Sequence, residues 1–156
     1  MIPLLAVLTL AANLQSCAAG VSPRTLAAVV SVESGGWPLT IHDNTSGRSY
    51  TFQSRRSAES AATSLLAAGH NVDLGLAQIN SANLPGLGLT PAQLFDSCTN
   101  LRAGATILER AYAAAAHRFG AGQVALRFAL SAYNSGSMFA APQYARRVAA
   151  AAGLDS

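Results

Sequence analysis

The sequence predicts a single, mainly α-helical domain with one small β-hairpin or flap, and three observations carry that expectation. The chain has 156 residues, enough for one hydrophobic core and too few for two. Hydrophobic residues make up 51% of it and charged residues 11%, far below the roughly 25% of an ordinary soluble domain, which excludes intrinsic disorder. Alanine-rich stretches of helical period fill most of the length between glycine, proline and asparagine stops, and only Ile41 to Gln53 sets turn residues between β-prone ones.

Each element follows in order. Ser22-Pro23 supplies an N-cap and a proline at the first helical position, and Thr25 to Glu33 continues the helix until Gly35-Gly36 stops it. Asp43-Asn44-Thr45-Ser46-Gly47 reads as the turn of a hairpin between Ile41 and Tyr50-Thr51-Phe52. Ser57 to Ala68 has good helix formers and a Gly69 stop. Asp73 to Asn80 reads as a short helix capped by Asp73. Thr90-Pro91-Ala92-Gln93 has the form of a capping box, opening a short helix through Phe95. Cys98 to Phe119 is the longest helix, with Leu101, Ala105, Leu108, Tyr112 and Ala116 near one face. Gln123 to Tyr133 and Pro142 to Ala152 complete the set. Helices so rich in alanine can approach closely, so the core is expected to rely on close packing.

The domain expected is residues 1–156, with residues 1–16 either a signal-like segment or a first helix. The apolar run from Ile2 to Ala12 is shorter than the ~20 residues of a membrane span and lacks the preceding basic residues of a secretory signal, so no stable membrane span is expected. Leu14-Gln15-Ser16-Cys17 distantly resembles a lipoprotein cleavage site, which would make Cys17 an acylated terminus. The competing use of Cys17 is a disulfide with Cys98, the only other cysteine. That pairing would imply an oxidising compartment, and the remaining alternative is two buried free thiols.

The net charge is +3, and the basic residues cluster only at Arg55-Arg56 and Arg146-Arg147, with no recognition-helix pattern around them, so no nucleic-acid partner is expected. His42, His70 and His117 offer no paired helical spacing, and no phosphate loop or dinucleotide fingerprint is present. Neither a metal nor a cofactor is expected. Of the seven acids, Asp43, Glu59, Asp73, Asp96, Glu109 and Asp155 have simple readings as caps, turns, exposed helix positions or tail. Glu33 differs. It follows Val29-Val30-Ser31-Val32 and ends a helix, where desolvation and the negative end of the helix dipole both favour the protonated carboxyl that a general acid needs.

Glu33-Ser34-Gly35-Gly36, Gly75-Leu76-Ala77-Gln78-Ile79-Asn80, Ala132-Tyr133-Asn134-Ser135-Gly136 and Asn100-Leu101-Arg102-Ala103-Gly104-Ala105 together resemble the signature motifs of the lytic transglycosylase family, in order and rough spacing. The resemblance covers nearly the whole chain from Cys17 onward. It implies a lysozyme-like fold of the kind shared by goose-type lysozyme and the soluble lytic transglycosylases. Asp73 to Asn80, the compact size and the two cysteines look most like the branch that accompanies type IV secretion and conjugation machines. The resemblance implies that Glu33 is the catalytic acid and base and Ser34 its hydrogen-bonding neighbour. It implies that Gln78 and Asn80 line the saccharide groove, that Tyr133 holds its hydroxyl near the reaction and that Asn134 shapes the same wall. Ala77 departs from the methionine of many housekeeping members, which bears on the affinity of the sugar subsites.

The activity implied is cleavage of the bond between N-acetylmuramic acid and N-acetylglucosamine with formation of 1,6-anhydro ends. The partners implied are peptidoglycan strands and type IV secretion components, with the protein an exported periplasmic monomer. Two other readings stand beside it. A muramidase would use water and a second carboxylate, for which Asp43 and Asp73 are the candidates, and a glycan-binding scaffold component would bind without cleaving. Tyr50 and Phe52 on the flap are available to stack on sugar faces.

Overall fold

A computed structural model describes residues 14–153. The apolar run from Ile2 to Ala12, and with it the choice between signal-like segment and first helix for most of residues 1–16, lies outside the described residues. The chain forms two compact units, Glu33–Gly104 as one and the described residues on either side of it as the other.

The flanking unit is helical. Residues 14–17 form a helical turn, with Leu14 buried and its carbonyl accepting from Ala18 N–H at 3.0 Å. Helix α1 (Pro23–Ser34) begins where the sequence places it. Pro23 stands at the first position and Ser22 O accepts from Leu26 N–H at 3.0 Å. After the central unit come α4 (Ser97–Phe119), α5 (Gln123–Ser135) and α6 (Pro142–Ala151). Val29, Leu108, Leu130, Tyr144 and Val148 fill a core whose other buried members are alanines 28, 115, 125, 129, 145 and 152. Six of the eleven buried positions are alanines, and α5 and α6 approach backbone close to backbone, so dispersion at short range does the work there that large side chains do elsewhere. Tyr112 and Ala116, on the face expected of α4, pack against this core, and the Tyr112 hydroxyl accepts from Gly122 N–H at 3.0 Å.

The Glu33–Gly104 unit holds a four-stranded antiparallel sheet of order β2-β1-β3-β4. Its strands are β1 (Thr40–Asp43), β2 (Arg48–Thr51), β3 (Val72–Leu74) and β4 (Ile79–Asn80). The register pairs Ile41 with Tyr50 and Leu74, and Leu74 with Ile79. Helix α2 (Arg55–Ala67), capped by Ser54 through Ser57 N–H, buries Ala58 and Ala62. These alanines lie in a unit whose fully buried residues include Ile41, Val72, Leu74, Ile79 and Leu94. A 3-10 turn (Ser81–Asn83), a short helix α3 (Leu84–Leu87) and a second 3-10 turn (Ala92–Phe95) lead into α4.

The fold is mainly α with a small sheet, and two local expectations are corrected. The hairpin at Asp43–Gly47 forms, but Asp73 to Asn80 is a second hairpin and not a helix. Val72, Leu74 and Ile79 alternate inward on the sheet, and the intervening residues 75–78 form a turn that a helix could not contain. The capping box at Thr90 closes on one side only. Gln93 Oε1 accepts from Thr90 N–H at 2.8 Å, while the threonine hydroxyl donates to the same oxygen at 3.2 Å instead of capping a helix N–H, and the turn that follows is 3-10. Cys17 and Cys98 are disulfide-bonded and no cysteine is free, so neither acylation of Cys17 nor a pair of buried thiols describes this chain.

Candidate active site

Glu33 stands half-buried in the last turn of α1, following the fully buried Val29 and Val30. The helix stops one residue later because Gly35 and Gly36 take left-handed backbone in succession, at φ 61° and 86°. Ser34 fastens that end. Its hydroxyl donates to Leu76 O at 2.7 Å and accepts from Gly36 N–H at 3.2 Å, so the helix terminus and the β3–β4 turn are held to each other.

The turn itself is built around Asn100 in the first turns of α4. The carboxamide is fully buried. Its Nδ2 donates to Leu74 O and Leu94 O, both at 2.8 Å, and its Oδ1 accepts from Ala77 N–H at 2.8 Å. The amide can come this close only because residue 75 is glycine. A Cβ there would lie 2.2 Å from Asn100 Nδ2 and 2.6 Å from Leu94 O, and φ at Gly75 is 76°. Ala77 is fully buried.

Gln78 closes the turn at φ 49°, left-handed backbone for a residue with a full side chain. Its Nε2 donates to Gly75 O at 2.9 Å, which stabilises the curl and leaves the side chain half-exposed. A strained, non-glycine conformation at a half-exposed position is characteristic of sites where function over-determines geometry. Asn80 is saturated. Its Nδ2 donates to Asn71 Oδ1 and Asp73 Oδ1, both at 2.7 Å, and its Oδ1 accepts from Asn71 Nδ2 and Ala82 N–H, both at 3.0 Å.

The other carboxylates of this unit all have structural partners. Asp43 is fully buried between the flap and His70. Burial raises its pKa, but hydrogen bonds from Ser46 Oγ, His70 Nδ1 and Thr45 N–H outweigh that and hold it down at about 2. Asp73 accepts from Asn44 Nδ2 at 2.9 Å as well as from Asn80. Asp96 caps α4, and the Thr99 N–H that it binds at 2.8 Å keeps its carboxyl below the ordinary range. Glu59 pairs with Arg55 at 2.7 Å. On the flap, Tyr50 and Phe52 stack 6.5 Å apart, and Phe52 O accepts from Nε1 of the exposed Trp37 at 3.3 Å.

Tyr133 and Asn134 belong to the helical unit, in the last turn of α5 before Gly136 reverses the chain. Tyr133 stacks on Tyr144 at 6.4 Å with 17° between the rings, and Asn134 is exposed. Sequence reasoning does not find the part played by Asn100. The available signal is an asparagine in the first turns of the longest helix, opening the stretch Asn100 to Ala105, with a glycine at the turn it serves.

The helix end that carries Glu33 is tied through Ser34 to a glycine-containing β-turn, and the mainly α fold with a small antiparallel sheet is consistent with the lysozyme-like class. The chain matches the Transglycosylase SLT domain over residues 11–152 and belongs to that family. Over 140 residues it is 42% identical to "Protein virB1" of Rhizobium radiobacter, covering 88% of this chain and 58% of the relative. Over 148 residues it is 42% identical to "Type IV secretion system protein virB1" of Brucella abortus biovar 1 (strain 9-941), covering 88% and 61%. The chain therefore spans about three fifths of the length of these curated relatives. No solved structure matches it.

Two outcomes follow from this geometry. Gly75→Ala forces a Cβ into Asn100 and an unfavourable φ on alanine, and should lower stability by at least about 2 kcal/mol in urea titration; a stability equal to wild type would contradict the close approach. Because the folded pKa of Asp43 lies below its ordinary 3.8, its contribution is present above that value and lost as pH falls through about 2. The wild type should therefore lose more stability than Asp43→Asn on acidification below about pH 4, and parallel curves would show that the carboxylate does not carry it.

Proposed function

We propose that this chain is a peptidoglycan lytic transglycosylase in which Glu33 alone serves as acid and then base. The observation that carries the reading is the commitment of the other carboxylates. Asp43, Glu59, Asp73 and Asp96 each hold a turn, a cap or an ion pair, and the described residues of the helical unit add only the exposed Glu109. A hydrolase of the ordinary kind needs a second carboxylate to bind water or the sugar. A transglycosylase needs none, because the nucleophile is supplied by the substrate.

Glu33 donates its proton to the oxygen bridging N-acetylmuramic acid to N-acetylglucosamine, and the bond from that oxygen to the muramoyl C1 breaks. The resulting carboxylate takes the proton of the muramoyl C6 hydroxyl as that oxygen attacks C1 of the same ring. The product is a 1,6-anhydro end, and Glu33 is protonated again. An internal hydroxyl has high effective molarity, so no water need be positioned. In the Glu33–Gly104 unit Gln78 is a proposed saccharide contact; in the helical unit Asn134 and the Tyr133 hydroxyl are proposed for the same role. Ser34 and Asn80 act by fixing the helix end and the hairpin from which Glu33 and Gln78 project.

The setting proposed is the periplasm, where the activity would open the wall locally for a type IV secretion or conjugation apparatus; the name of the Brucella relative, a type IV secretion system protein, supports the first of these machines. The disulfide agrees with an oxidising compartment, and no helix among the described residues is long and apolar enough to cross a membrane.

Incubation with isolated peptidoglycan followed by mass spectrometry of the soluble fragments tests the reading. Fragments ~18 Da lighter than reducing-end forms, released by wild type and absent with Glu33→Gln, are expected, since internal attack excludes water. Reducing ends would identify a muramidase, and binding without cleavage by the wild type would identify a scaffold.

A further inference from the structure

We propose that a groove on the helical unit, between α5, α6 and the loop of residues 136–141, is a docking site for a partner protein through an acidic peptide segment bearing apolar side chains. The groove encloses 510 Å³, within the range that buries two or three side chains of a ligand. Its walls include Val124, Phe128, Met138 and Phe139, and the exposed Arg127 and Arg146 line it with them. None of these residues belongs to the transglycosylase site proposed above.

Exposed apolar surface is concentrated here. Phe119, Val124 and Phe139 are 37%, 57% and 56% exposed, and the large hydrophobic exposed elsewhere among the described residues is Trp37. The aromatic rings form one cluster. Phe119 stacks on Phe128 at 4.2 Å, Phe139 meets Phe128 edge-on at 5.4 Å, and the Arg118 guanidinium lies 5.2 Å from both Phe119 and Phe139. The far wall is fixed in advance. The buried Ser131 hydroxyl donates to Ser137 O at 2.8 Å and accepts from Ala141 N–H at 2.9 Å, pinning both ends of the loop that carries Met138 and Phe139.

Charge selects the occupant. The described residues of this unit contain six arginines, at positions 24, 110, 118, 127, 146 and 147, against a single carboxylate, Glu109. Among the described residues, none of Arg118, Arg127 and Arg146 has an ion-pair partner. Arg127 and Arg146 in the wall, with Arg118 against Phe139, complement carboxylates flanking an apolar anchor. A concave site of this size also fits a peptide turn better than the broad surface of a bilayer.

The test is panning of a random peptide library of about a dozen residues on the purified protein, followed by fluorescence anisotropy of the enriched peptides. Enriched sequences should set Asp or Glu beside Phe, Trp or Leu. Their affinity should fall with salt and drop by about tenfold or more in an Arg127→Glu, Arg146→Glu double variant that still cleaves glycan at the wild-type rate. Basic or uncharged consensus sequences, equal binding to the double variant, or no enrichment would overturn the proposal. So would binding of phosphatidylglycerol vesicles, lost in the double variant, without peptide binding, which would assign the face to a membrane.

Discussion

The carboxamide of Asn100 ties three backbone groups from two stretches of chain: Leu74 O before the turn, Ala77 N–H within it and Leu94 O ahead of α4. Each of these groups is cut off from water, so the same low dielectric that strengthens the bonds makes their loss costly. The rest of the Glu33–Gly104 unit depends on the arrangement. With the turn fixed, Leu76 O is available to Ser34, Gln78 is carried in left-handed backbone, and Ile79 returns in register beside Leu74. Gly75 is the condition on all of it, because any side chain there would occupy the space of the amide.

The chain separates two physical tasks. In the Glu33–Gly104 unit, polar side chains define geometry: the Asn44, Asn71, Asp73 and Asn80 network and the buried Asp43 with His70, Ser46 and Thr45 shape the two hairpins. Those bonds commit carboxylates that a two-acid glycosidase would require. In the helical unit, alanine packing makes the core, which leaves the larger aromatic residues 119, 128 and 139 on its surface among arginines.

The helices are legible in the sequence because proline, serine and glycine mark their ends. Pro23 opens α1, Gly120 follows α4, and Gly136 follows α5, within one or two residues of expectation. The first hairpin is legible from its turn residues. The second reads as a helix because Asp73 resembles a cap and Leu74, Leu76 and Ala77 favour helix. What decides the outcome is Asn100, more than twenty residues away, and no local pattern carries that. Of the site, Glu33 stands out through its apolar approach and glycine stop. The saturation of Asn80 and the buried state of Asp43 are not legible, since both depend on partners brought together only by the sheet.

Asn100 holds the turn through Ala77 N–H, and amide hydrogen exchange at Ala77 measures that directly. In the wild type, Ala77 N–H should exchange as slowly as the core amides of Leu74 and Ile79. In Asn100→Ala it should exchange faster than those neighbours, because its acceptor is gone. Rapid exchange in the wild type, or protection unchanged by the substitution, would contradict the account.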